Sequence, residues 1–137
     1  MHVLQATRAG SFTARIGSLR PLFRSATGKM LLVSLPEREI ARLLKTSNAQ
    51  EPDAKLHLNL EEVIAERRSN MINGYAMSRG TSMAGAAALA VKLPVPRGHA
   101  PLTLSLGGPI EEIDSEKDNL LEILLTAVKP FEKAAGL

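Results

Sequence analysis

The chain has 137 residues, 45% hydrophobic and 23% charged, which suits one soluble domain large enough to bury a core. It contains no cysteine and no tryptophan, so disulfide scaffolds and thiolate zinc sites are excluded, and an aromatic share of 3% is too low for the base-stacking platforms of single-stranded nucleic-acid binders. There is no apolar run long enough to span a membrane and no apolar signal segment at the start, so the expectation is a cytoplasmic protein. The net charge of +3 is unevenly placed: residues 1–36 hold Arg8, Arg15, Arg20, Arg24 and Lys29 and no acid, whereas acids dominate from Glu111 onward. Such an imbalance reads either as a basic face for DNA or an anionic ligand, or as two chain ends that neutralise each other. Five spaced cations are a weak footprint for nucleic acid and favour the second.

Val3 to Thr7 and Phe12 to Ile16 read as two short strands around the turn Gly10-Ser11, with Phe12, Ala14 and Ile16 alternating against Thr13 and Arg15. Ala26 to Val33 follows as a short helix. Ser34-Leu35-Pro36-Glu37 has the chemistry of a helix start, with Ser34 as cap. Ile40, Leu43 and Leu44 mark that helix's buried side as far as Thr46 to Ala49, and 48–53 is a polar loop. Asn59-Leu60-Glu61-Glu62 opens a helix carrying Leu60, Val63, Ile64, Arg67 and Met71 on one side, closed by Asn73-Gly74.

Tyr75 to Ser78 is a short strand. Ala86 to Val95 and Pro101 to Leu106 form a strand pair, with Gly107-Gly108-Pro109 ending the second. Ser115 caps a last helix with an apolar stripe at Leu120, Leu121, Leu124, Leu125 and Val128, which Pro130 should kink or end. The order of elements predicts an α+β fold, one antiparallel sheet flanked by helices.

Gly80-Thr81-Ser82-Met83-Ala84-Gly85 matches the string that carries the nucleophile of subtilisin-like proteases. Yet His2, His57 and His99 lack the context of a catalytic base, and the chain is about half the length such a protease needs. Gly28-Lys29 fails as a phosphate loop, because Phe23 and Met30 stand where a glycine and a hydroxyl belong. Ala84 likewise replaces the second glycine of a lipase-type elbow. The histidines are too dispersed for a metal site, and no cofactor is expected. What remains is small residues and hydroxyls at element ends: Ser25 to Gly28, Ser78, Gly80 to Ala88, and Ser105 to Gly108. Residues of this kind allow either close approach of a ligand or close packing of a helix on a sheet.

In the same order, these segments resemble the C-terminal effector-binding domain of IclR-family transcriptional regulators. The resemblance runs through Arg20 to Leu32, Leu35-Pro36, the helix from Leu60 to Asn73, Asn73-Gly74-Tyr75-Ala76, Ala88 to Val95 and Leu104-Ser105-Leu106-Gly107-Gly108-Pro109. It implies a single GAF-like domain over 1–137, a curved antiparallel sheet flanked by helices that binds a small metabolite in its concave face. Carried over by position, the effector-binding residues are Phe12, Ala26, Thr27, Gly28, Ser78, Ala86, Ala88, Ser105 and Gly107. Thr27, Ser78 and Ser105 would supply hydrogen bonds, the amides of Ala26 to Gly28 would hold a carboxylate, and Phe12 would form an apolar wall.

The chain departs from the family after Gly74-Tyr75, where acids usually stand and here Ser78-Arg79-Gly80-Thr81 follows. A small organic or aromatic acid is therefore the expected effector, with Arg79 either its counter-ion or a solvated surface residue. The family's winged helix-turn-helix is expected to be missing, so DNA binding would run through that domain and not through this chain. The resemblance further implies a homodimer or homotetramer and no enzymatic role. A free-standing GAF-like binding module and a small serine hydrolase are the alternative readings.

Overall fold

The computed structural model describes residues 19–136, so the hairpin expected over Val3 to Ile16 lies outside the described residues. Helix α1 spans Ala26–Leu32 and starts from a knot of hydrogen bonds around Ser25. The Ser25 hydroxyl donates to the Pro21 carbonyl at 2.7 Å and accepts from the Gly28 amide at 3.0 Å, an N-cap of the ordinary kind.

Helix α2 covers Glu37–Gln50 and buries Ile40 and Leu44 as the spacing predicts. Its cap is not Ser34. Pro36 occupies that position without a side-chain bond, and the Ser34 hydroxyl is buried and unbonded. Ser34 belongs to the exit of α1, where its amide donates to the Leu31 carbonyl. The segment expected to be loop from 48 is helical to Gln50, and a short 3-10 turn follows at Ala54–Leu56. The Asn48 side chain fixes that connection by bonding both the amide and the carbonyl of Leu58, at 3.0 and 2.9 Å.

Helix α3, Leu60–Asn73, begins where Asn59 accepts from the Glu62 amide and ends on Gly74 at φ 80°, a left-handed position that costs glycine nothing. Of its expected apolar side, Val63 and Ile64 pack inward, whereas Leu60 and Met71 are exposed. Arg67 reaches across to the carbonyls of Leu32, Val33 and Leu35. It thereby satisfies the orphan carbonyls at the end of α1 that a helix cannot satisfy itself.

Strands β1 (Ala76–Arg79), β2 (Ala86–Leu93) and β3 (Leu102–Pro109) form an antiparallel sheet in the order β1-β2-β3. β3 does not stop at Leu106: Gly107 and Gly108 still pair with Ala88 and Ala87. The chain passes directly into α4 (Ile110–Ser115) and then α5 (Lys117–Ala134). Ser115 therefore closes α4, its hydroxyl bonding the Glu112 carbonyl, and Glu116 stands at the start of α5. Pro130 does not terminate α5, which continues to Ala134.

Strand alternation sends β2 to two different neighbours. Ala87, Leu89 and Val91 pack against Ile113 of α4 and against Leu124 and Val128 of α5, forming the larger core. Ala90 turns the other way and meets Ala76 with Ala26 and Met30 of α1, while Phe23, Leu32, Ile40 and Leu44 make a third cluster beneath α2. The fold is α+β, with α1 on one face of the sheet and α4 and α5 on the other. No helix among the described residues is long and apolar enough to cross a membrane.

Candidate functional site

The register of the three strands decides which side chains share a face. Ser78 pairs with Ala88, and Ala88 with Gly107; one step along, Ala76 pairs with Ala90, and Ala90 with Ser105. Directly opposed residues in an antiparallel pair point to the same side. Ser78, Ala86, Ala88, Ser105 and Gly107 therefore lie together on the face that α1 covers, although 29 positions separate the first from the last. Sequence order alone does not imply this row.

Helix α1 lies on that face because its partners are small. Ala26, Ala76 and Ala90 are all at most 2% exposed, which lets the two backbones approach closely. Gly28 packs instead against the segment that leads into α1: a Cβ there would stand 2.1 Å from the Leu22 carbonyl oxygen. Helix α1 contacts all three strands, and Ser78 on β1 is 3% exposed. On β3, Ser105 and Gly107 are exposed. The Thr27 hydroxyl lies 3.4 Å from that of Ser105.

Among the described residues no group bonds the Ser78 hydroxyl. Thr27 and Ser105 thus present two hydroxyls beside a floor of alanine and glycine, while Ser78 is buried. The amides of Ala26 to Gly28 form a smaller donor set than the sequence suggests, because the Gly28 amide is already bound to Ser25. Phe12 lies outside the described residues.

Arg79 does not join this group. It pairs with Ala87, one residue out of phase with Ser78, and so points to the opposite face. There its guanidinium makes two bonds to Asp114 of α4, at 3.1 and 2.5 Å. The hydrogen bond and charge of Asp114 hold Arg79 even more basic than an ordinary arginine. The expected counter-ion is occupied elsewhere.

Sequence reading missed Lys92 and Thr103. They are partners in the next row of the same face, beyond Ala90 and Ser105. The signal was available, since Lys92 falls in phase with Ala86, Ala88 and Ala90 along β2.

The protease-like string forms the β1–β2 connection and is held structurally. The Gly80 amide donates to the Ala86 carbonyl at 2.7 Å, and the Thr81 hydroxyl donates to the Arg24 carbonyl at 2.6 Å. No histidine or carboxylate bonds Ser82 among the described residues. Two concavities lie away from the Ser78 row: one of about 380 Å³ over Asp114 to Asn119, and a much smaller one between α1 and α3 beside Lys29 and Glu66. Lys29 and Glu66 form an ion pair at 2.8 Å, so this basic residue of the N-terminal third is neutralised by α3 and not by the acidic C-terminal end. Among the described residues there is no cluster of three or more His, Cys, Asp or Glu that would hold a metal ion.

Residues 2–131 match the family described as "Bacterial transcriptional regulator IclR C-terminal". The solved effector domain of the transcriptional regulator IclR from Acinetobacter sp. ADP1 superposes with a TM-score of 0.87 and 25% identity, over 97% of this chain and 77% of that one. HmgR from Pseudomonas aeruginosa gives a TM-score of 0.78 and 27% identity, over 97% of this chain and 52% of that one. An IclR family transcriptional regulator from Brucella abortus gives 0.73 and 25%, over 90% of this chain and 47% of that one. The chain thus spans about half the length of the last two. No curated protein matches it.

Proposed function

The chain belongs to the IclR C-terminal family of bacterial transcriptional regulators, and from that premise we propose that it senses a small organic metabolite on the α1 face of its sheet. The observation that carries this reading is the row Ser78–Ala88–Gly107, continued by Ser105 and bordered by Thr27. It combines an apolar, small-residue floor with a few convergent hydroxyls, the usual recipe for a small-molecule site. A ligand would meet the exposed Ser105 and Gly107 of β3, whereas Ala26, Ala76 and Ala90 are close-packed. A small organic or aromatic acid is the effector class we propose.

Effector binding here biases a helix-turn-helix domain carried by the full regulator, working in the cytoplasm as a homodimer or homotetramer. Coupling requires that ligand and DNA favour different arrangements of the assembled copies. Helix α1 is the element through which occupancy would be felt, because it lies on the ligand face and is tied to α3 by Arg67 and by the Lys29–Glu66 pair.

The test is a thermal-shift screen of the chain against small carboxylates, amides, sugars and aromatics, repeated on Thr27→Val and Ser105→Val. A ligand present at about 100 times its Kd adds about 2.7 kcal/mol of stability by mass action, enough to read as a higher melting temperature. Stabilisation by one class, lost in both variants, supports the reading. No stabilisation by any class, or a hit that neither variant weakens, overturns it.

A further inference from the structure

We infer that Lys92 is the counter-ion of the ligand face and makes it selective for anionic effectors, an inference that rests on the function proposed above. The paired strands place ten residues on that face, and Lys92 is the one that carries a charge. There is no carboxylate among the ten to neutralise it. Lys92 is exposed and pairs with Thr103, about 7 Å along the strands from the Ala90–Ser105 pair. Its flexible four-carbon stem is long enough to carry the ammonium over that pair, beside the exposed Ser105.

The neighbouring cations are engaged elsewhere. Lys29 is paired with Glu66, Arg79 with Asp114, and Arg67 with three carbonyls at the C-terminal end of α1. Arg24 donates to the Leu56 carbonyl. Lys92 has no hydrogen-bond or ion-pair partner among the described residues. A carboxylate lying across Gly107 and Ser105 would thus meet a hydroxyl at one end and an uncommitted ammonium at the other. The chemical class this arrangement fits is a small mono- or dicarboxylate with an apolar body. Its primary amide has the same shape and lacks the charge.

The experiment titrates the wild-type chain, Lys92→Gln and Lys92→Arg calorimetrically with a panel of aliphatic and aromatic carboxylates, each beside its primary amide. For the acid that binds, Lys92→Gln is expected to weaken affinity roughly tenfold or more, the loss of a hydrogen bond to a charged group, while Lys92→Arg retains most of it. Raising the salt concentration should weaken the wild type and leave Lys92→Gln nearly unchanged. Because Lys92 has no partner to lose, the unliganded melting temperature should be the same in all three proteins. Equal binding of acid and amide, or an acid whose affinity survives Lys92→Gln, overturns this inference and leaves the sensing function standing. Failure of the wild type to bind either series, together with a negative screen of the other metabolite classes, overturns both.

Discussion

The backbone of Gly28 rests against the carbonyl of Leu22, so that a side-chain carbon on Gly28 would come within 2.1 Å of that oxygen. Glycine stands here for closeness and not for backbone freedom, since the residue is helical. Because the obstacle is main chain, it cannot swing aside as a flexible side chain would. Gly28→Ala should therefore lower stability by about 1–3 kcal/mol, the range for overpacking a tight contact. Urea denaturation of the two proteins measures it, and a loss below about 0.5 kcal/mol, the range of neutral surface changes, would contradict the packing described.

Arg67 is the second structural commitment of α1. Its side chain donates to the carbonyls of Leu32, Val33 and Leu35, at 2.9, 3.3 and 2.8 Å. Arg67→Met keeps much of the stem and abandons three part-buried carbonyls, at an expected cost of about 2–3 kcal/mol. Arg67→Lys should recover only part of this, because one ammonium cannot reproduce the guanidinium fork. Denaturation midpoints for both variants check the order.

Removing the guanidinium from Arg79 should leave ligand affinity unchanged. The group lies on the face opposite Ser78 and binds Asp114, with both side chains well exposed. Arg79→Gln and Asp114→Asn are expected to behave alike in calorimetric titration with whichever carboxylate the wild type binds. A selective loss of carboxylate affinity in Arg79→Gln would restore Arg79 as the counter-ion.

Leu89, wholly buried between the sheet and α5, should be the most sensitive position of the larger core. Leu89→Ala is expected to cost about 3–4 kcal/mol, since the lost transfer energy is joined by a cavity that neighbouring strands cannot collapse into. Leu102→Ala on β3 is the comparison: its side chain is 52% exposed, and the change should be several-fold smaller.

Local chemistry made much of the fold legible. The Ile40, Leu43 and Leu44 spacing, the Asn59 cap and the Gly74 terminus depend on residues within a few positions of one another, and all three stand as the sequence implies. Errors arose where a distant partner decided the outcome. Ser34 has the makings of a cap, yet the turn leaving α1, held by Arg67 from 32 or more positions away, assigns that place to Pro36. Gly107-Gly108-Pro109 has the makings of a strand end, but pairing with Ala88, Ala87 and Ala86 continues the strand through it.

The sheet face beneath α1 divides in the same way. The sequence by itself determined its materials: small residues and hydroxyls at Thr27, Ser78, Ala88, Ser105 and Gly107, with a close resemblance in order to one family. Only the tertiary structure decided which of them meet, because strand register sets the face and a shift of one residue reverses it. That single-residue phase separates Ser78 from Arg79. It turns the arginine toward Asp114 and puts Lys92, unremarkable in the sequence, on the same face of the sheet as Ser78.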